Sequence, residues 1–240
     1  MKAPHLESFL VKINGDQIIG GLYHSGRPKA PTAILIHGIP GFEKYMGIAY
    51  ALQEAGWNCL YFHYRGCWGS TGDYQVNNHL IDIQAAHQWL IQRDDIDSHK
   101  LALIGSSLGG HNTLKTAINW DHFAAYLAIC PVLSSRHGNL GREVLAGFTP
   151  FLHGVEAEDL ENQWSKLQDL EKEVHRINSK KLCMLTGDQD ALFAPETYVG
   201  LAKKIPHLDW RRHPHADHSF SGHQSWCTEH ALSFLQDTIS

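Results

Sequence analysis

Short runs of β-branched, leucine and aromatic residues alternate with helix-period patterns along most of this chain. The runs are Glu7–Ile13, Gln17–His24, Thr32–His37, Trp57–Tyr64, Leu101–Gly105, Ala124–Cys130, Lys181–Thr186 and Leu208–Arg212. Between them Lys44–Ala55, Asn77–Arg93, Leu108–Asn119, Pro195–Lys204 and Gln224–Asp237 read as helices; in the second, Leu80, Ile83, Ala86, His87, Leu90 and Ile91 recur near helical spacing. Parallel neighbours cannot be joined by a tight turn, so a helix between two strands implies a right-handed crossover and a sheet covered on both faces. The first two runs differ: Asn14-Gly15-Asp16 between them is a hairpin signal. The pattern predicts an α/β fold with a mostly parallel central sheet flanked by helices. In such sheets ligands bind beyond the carboxyl ends of the strands, so the residues just after each run are the ones to inspect.

One stretch breaks the alternation. About 50 residues without a strand pattern separate Cys130 from Lys181, including Phe148-Thr149-Pro150-Phe151 and a stripe of Leu160, Trp164, Leu167, Leu170, Val174 and Ile177 at helical spacing. A plain connection needs only a few residues beyond its helix. The excess predicts a small cap, about residues 134–178, inserted between the sixth and seventh strands of a single domain spanning 1–240.

Composition limits the partners. The 240 residues carry 20 Lys plus Arg against 25 Asp plus Glu, a net charge of −5, which disfavours a nucleic-acid partner because phosphate binding needs a basic face. With 43% hydrophobic and 19% charged residues the chain has the make-up of a folded globular protein. Its five cysteines (Cys59, Cys67, Cys130, Cys183 and Cys227) are odd in number and never closer than eight positions, which suits a reducing compartment better than a disulfide framework. No apolar run is long enough for a signal peptide or a membrane span. A cytoplasmic protein without a membrane span is the expectation.

The fifth run leads through Gly105-Ser106-Ser107-Leu108-Gly109-Gly110 directly into a helix. This is G-x-S-x-G in strand–turn–helix context, a sharp turn that exposes a serine and needs neighbours without side chains. Serine is a poor nucleophile at neutral pH and requires a base, itself oriented by a third group. Carboxylates follow the seventh run in Gly187-Asp188-Gln189-Asp190, and histidines follow the eighth in His213-Pro214-His215-Ala216-Asp217-His218. The order nucleophile, acid, base is the one expected for such a serine, with more than one candidate for each of the last two. An oxyanion hole needs two backbone N–H groups: one comes from Leu108, after the nucleophile. The other belongs in His37-Gly38-Ile39-Pro40-Gly41 after the third run, where Pro40 has no N–H and Ile39 is the candidate.

These motifs, with Tyr64-Arg65-Gly66, Gly69-Ser70-Thr71-Gly72 and Asp217-His218-Ser219-Phe220, resemble the α/β-hydrolase superfamily from about Thr32 to the C-terminal helix. The likeness is greatest to the esterase branch near dienelactone hydrolases, cinnamoyl or feruloyl esterases, and prolyl-oligopeptidase-type catalytic domains. It implies an acid three residues after the glycine, Asp190, and a base before a small residue and an aromatic, His218. Asp188 is then a turn former that bonds backbone, and Arg65 a brace for its loop. Trp68, Phe148, Phe151 and Trp164 are candidates to line the substrate pocket. His207, His213, His215, His218 and His223 are dense, but no metal-binding spacing accompanies them, and the glycine-rich segments lack nucleotide-binding spacings. Neither a metal site nor a cofactor is expected.

The expected function is a serine esterase acting on a modest-sized carboxylic ester. The alternatives are a small peptidase, amidase or thioesterase with the same triad, or a non-catalytic hydrolase-fold protein that binds a small ligand. Peptidases of this type carry a large extra N-terminal domain, whereas about 30 residues precede the third run here, which favours the esterase.

Overall fold

The computed structural model describes residues 2–138, 140–177 and 181–239. Eight strands among these residues form one sheet: β1 (His5–Ile13), β2 (Asp16–His24), β3 (Ala30–Ile36), β4 (Asn58–His63), β5 (Ile96–Ser106), β6 (Ala125–Ile129), β7 (Leu182–Gly187) and β8 (Asp209–His213). Their spatial order is β1-β2-β4-β3-β5-β6-β7-β8. Only β2 pairs antiparallel, with β1 and β4; the pairs from β4 through β8 are parallel. Asn14 and Gly15, both at positive φ (50° and 94°), form the two-residue loop between paired Ile13 and Asp16, the hairpin geometry that Asn-Gly favours.

Side chains alternate across the sheet and divide the core in two. Along β3, Ala33 and Leu35 enter one core, which holds Ile48 and Leu52 of α1 (Met46–Glu54) and Ala231 and Leu235 of α7 (Gln224–Thr238). Ile34 and Ile36 enter the other, against Ile83 and Leu90 of α2 (His79–Ile91), Leu114 and Ala117 of α3 (Leu108–Asn119) and Leu201 of α6 (Glu196–Lys204). The result is the three-layered α/β-hydrolase architecture. Each fully buried leucine or isoleucine contributes about 1.5–3 kcal/mol of transfer free energy. From β3 the chain steps outward to β4, then returns past β3 to β5. The connections therefore diverge at the carboxyl ends of β3 and β5, and a crevice opens there.

The segment between β6 and β7 contains α4 (Arg142–Ala146), a 3-10 turn at Thr149–Phe151, α5 (Ala157–Ser165) and two more 3-10 turns, Leu170–Lys172 and Val174–Ile177. Residues 139 and 178 of the expected cap lie outside the described residues. The stripe from Leu160 to Ile177 reads as one helix in sequence, but the helix ends at Ser165 and two short turns follow. The break lets Leu170 donate its N–H to Leu133 O and brings both turns against α3. Leu160, Trp164, Leu170, Val174 and Ile177 all remain buried, in the same core as α2 and α3.

Candidate active site

Ser107 sits between β5 and α3 at φ 55°, ψ −117°, a conformation that a residue with a Cβ adopts only under constraint. Both sides of it are tied down. Its N–H donates to Ile129 O of β6 (2.8 Å), and its carbonyl accepts from His111 and Val132 (3.0 and 3.1 Å). The flanking glycines are required by crowding: a Cβ at Gly105 would meet Gly109 O at 2.3 Å, and one at Gly109 would meet the His37 and Ile36 carbonyl oxygens at 2.6 Å.

The expected acid and base, Asp190 and His218, meet across the loops after β7 and β8. His218 Nδ1 lies 2.7 Å from Asp190 Oδ2, while Asp190 Oδ1 accepts the Leu192 and Phe193 amides at 2.8 and 2.9 Å. The Asp190 side chain is fully buried and the His218 ring is 17% exposed. An ionised carboxylate only accepts, so His218 carries its proton on Nδ1 and leaves Nε2 with a lone pair. Asp188 does something else: its Oδ1 accepts from Arg212 Nε at 2.9 Å on the surface, so the side-chain partner is an arginine rather than the turn backbone. Arg65 is buried, and its Nε and N–H both donate to the Asp82 carboxylate (2.7 and 3.0 Å), bracing the loop after β4.

Ser107 and His218 line one cavity of about 210 Å³, together with Ile39, Phe42, Phe148 and Leu192. Leu108 opens α3 directly after Ser107. The loop that carries Ile39 is held from both sides. Buried His37 lies with Nδ1 2.6 Å from Gly38 O, and burial pushes its pKa down to about 4, so the ring is neutral and Nδ1 donates. Trp68 Nε1 donates to Pro40 O at 2.6 Å.

Of the expected pocket residues, Phe148 lines the Ser107 cavity. Trp68 and Phe151 line a neighbouring groove of about 630 Å³. Trp164 lies elsewhere: one turn after Leu160 on α5 it points into the core and is 5% exposed. Sequence reasoning missed Phe42, which is 57% exposed and packs against both Phe151 and Trp68, with ring centroids at 4.7 and 5.8 Å. Its place directly after His37-Gly38-Ile39-Pro40-Gly41 was the available signal. The bracing roles of His37 and Trp68 were missed as well. In the histidine-rich segment, His213 and His223 lie ring to ring at 4.2 Å beside Trp226, while His218 turns inward. Among the described residues one group of three metal-capable donors comes together: Cys130, Asp190 and His218.

The sequence profile of the prolyl oligopeptidase family matches residues 44–240, a span that holds Ser107, Asp190 and His218. Among curated proteins, the quorum-quenching protein AidA of Acinetobacter baumannii is 31% identical over 107 residues, covering 42% of this chain and 35% of that protein. The match thus spans about a third of that relative. Among solved structures, DcsB in complex with its substrate analogue superposes with a TM-score of 0.83 at 14% identity, over 98% of this chain and 99% of that one. Est1E from Butyrivibrio proteoclasticus with ferulic acid bound gives 0.77 at 20% identity, over 96% and 98%. At these identities the structural likeness shows the fold.

Proposed function

This chain belongs to the prolyl oligopeptidase family, and on that premise we propose that it is a serine hydrolase cleaving modest-sized carboxylic esters through an acyl-enzyme on Ser107. The observation that carries the reading is a constrained serine sharing one cavity with a histidine whose far nitrogen is held by a buried carboxylate. His218 Nε2 takes the Ser107 proton as the serine attacks the acyl carbon. Asp190 keeps the imidazole in the required tautomer and stabilises its protonated form. The Ile39 and Leu108 amides hold the tetrahedral oxyanion; the alcohol leaves with the proton from His218, and water attacks the acyl-enzyme through the same base. No metal or cofactor enters this scheme.

Substrate recognition falls to the rings at the cavity mouth. Phe42, Trp68 and Phe151 are 57%, 39% and 44% exposed and touch one another; Phe42 lines the Ser107 cavity with Phe148, and Trp68 and Phe151 line the groove beside it. Exposed rings beside a reacting serine suit an apolar or aromatic portion of a small ester. Est1E, whose structure holds ferulic acid, supports the ester reading by analogy of fold. Family membership favours a second reading, in which the same triad acts on an amide or peptide bond.

A panel of aryl, alkyl and cinnamoyl-type esters, thioesters and short peptides distinguishes these, combined with labelling by a serine-directed phosphonate. Ester turnover with phosphonate on Ser107, and not on Ser106, is expected. Ser107→Ala should fold normally and lose at least about three orders of magnitude in turnover. Undiminished hydrolysis by folded Ser107→Ala overturns the proposal. Tight ligand binding without turnover would mark a non-catalytic binder.

A further inference from the structure

Cys130 is the first residue after β6. It lies at φ 41°, and its N–H donates to Leu185 O of β7 at 2.9 Å, so the backbone that carries the thiol is fixed. The residue is 1% exposed, and its Sγ, an Asp190 carboxylate oxygen and a His218 ring nitrogen all lie within 4.8 Å of one another. Three such donors resemble a metal set, but the spacing is wrong for one. Two ligands of a tetrahedral zinc stand roughly 3.3 Å apart, whereas His218 and Asp190 are already joined at 2.7 Å. A metal would also need the thiolate. Burial first, and then the negative charge of Asp190, hold this thiol well above its ordinary pKa, so it stays protonated.

A protonated thiol beside a buried carboxylate is a donor facing an acceptor. An ionised carboxylate offers about four lone-pair directions. Leu192, Phe193 and His218 fill three of those at Asp190, and the side chain is shut off from solvent. We propose that Cys130 is a positioning residue of the triad: its S–H donates to the Asp190 carboxylate and fills the remaining direction. The inference rests on the triad reading above. The bond withdraws charge from Asp190 and limits how strongly the acid holds the imidazolium, so it tunes the basicity of His218. The other titratable groups around the thiol are Tyr45 ahead of α1, Tyr198 on α6 and Cys227 on α7, all buried and all pushed upward by burial, so they are uncharged at working pH. His218 is the group of this set that takes up and returns a proton in the reaction proposed above.

The test is the pH dependence of kcat/KM for Cys130→Ala and Cys130→Ser, with phosphonate labelling of Ser107 run alongside. Without the donor, Asp190 keeps more of its charge and the imidazolium is harder to deprotonate. The acid limb of Cys130→Ala should therefore move up by about half a pH unit or more, while Cys130→Ser, which keeps an O–H donor, should follow the native curve. A Cys130→Ala limb that coincides with the native one, or an equal shift in both variants, overturns the proposal and leaves the thiol as packing. If neither variant folds, the S–H infrared band of the native protein decides: one thiol band should shift as pH crosses the acid limb of kcat/KM, and a set of bands that does not respond overturns the proposal. Native protein that phosphonate does not label at Ser107 would instead overturn the triad reading itself.

Discussion

The loops at the strand ends and the insertion between β6 and β7 are built on different principles. Each strand-end loop is short and over-determined by polar contacts. Ser107 has both backbone groups bonded, Asp190 accepts three hydrogen bonds, and the Ile39 loop is held by His37 and Trp68. The insertion is long; burial of Leu160, Trp164, Leu170, Val174 and Ile177 sets its inward face, while main-chain bonds such as Tyr74 N–H to His153 O (2.8 Å) and His153 N–H to Gly66 O (2.9 Å) tie its outer part to the loop after β4. Hydrogen-bonded loops fix atoms to tenths of an ångström. Apolar packing fixes which face is inside and tolerates a break in the helix that presents it. The proposed reacting groups sit on the first kind of structure, and the rings proposed to select substrate sit where the two kinds meet.

The largest effect expected within this contrast separates two aspartates two residues apart. Asn in place of the orienting Asp favours the wrong histidine tautomer, at a cost of about 10⁴-fold in a serine protease. Asp190→Asn should lose turnover on that scale with little change in melting temperature. Asp188→Asn gives up a surface pair to Arg212, worth about 0–1 kcal/mol, and should turn over nearly as well as the native protein. Turnover that ranks the two variants the other way would assign the acid to Asp188.

Trp164→Ala probes the insertion. Truncating a buried Trp costs about 3–5 kcal/mol, so the thermal midpoint should fall clearly. Phosphonate labelling of Ser107 in the folded protein should proceed at the native rate, because this side chain does not line the cavity. A native midpoint with altered substrate ranking would return Trp164 to the pocket.

The same difference governs what could be read in advance. The strands and long helices were legible because apolar residues recur with the periods of the two structures. β4, for example, lies inside the expected run Trp57–Tyr64. β5 begins at Ile96, ahead of the expected Leu101, because Asp97-Ser98-His99-Lys100 is polar and exposed or half-buried yet continues the strand. Glycine and chain order pointed to Ser107 and to the turns after β7 and β8, whereas Asp190 and His218 were singled out there by the family resemblance and not by spacing. The helical period through Ile177 says which side chains face inward but not where the backbone breaks, so one helix was expected where three short pieces form. Trp68 on Pro40 and Cys130 beside Asp190 were hidden for a simpler reason: each joins loops from different strands, and no local pattern records the meeting.

Acid should loosen the polar region through its buried histidines. Burial holds His37 and His111 down to about 4 and His79 well below its ordinary value. These rings are neutral in the folded protein, whereas the unfolded chain takes up their protons below about pH 6.5. A folded pKa below the unfolded one means that stability is complete above about pH 6.5 and is lost as pH falls toward 4. Each such histidine contributes a slope of up to about 1.4 kcal/mol per pH unit. Urea midpoints should fall steadily from pH 6.5 to 4.5, and His111→Gln, which can still donate to Val132 O, should flatten the curve. A midpoint that is level across that interval would mean that water or another donor reaches these rings.

The smallest expected effect lies at the seam between the two regions. Phe42 comes from the loop after β3, proposed to supply an oxyanion donor, and Phe151 from the insertion, and their rings meet edge to face at 4.7 Å, 80° apart. Neither ring touches the reacting atoms in the proposed mechanism, so removing one should not disturb proton transfer. Pocket contacts of this size discriminate between substrates by about 1–3 kcal/mol, or tenfold to two-hundredfold. Phe151→Ala takes away one wall from an exposed cluster, so the low end applies. Its kcat/KM for aryl and cinnamoyl-type esters should fall about tenfold relative to acetyl esters of small alcohols, with phosphonate labelling unchanged. Phe42→Ala should show the same preference and additionally slow labelling, since Phe42 shares a loop with Ile39. If both variants instead lose all esters equally, the aromatic cluster supports the oxyanion loop and does not select substrate. The boundary of the polar region would then extend outward to include Phe151.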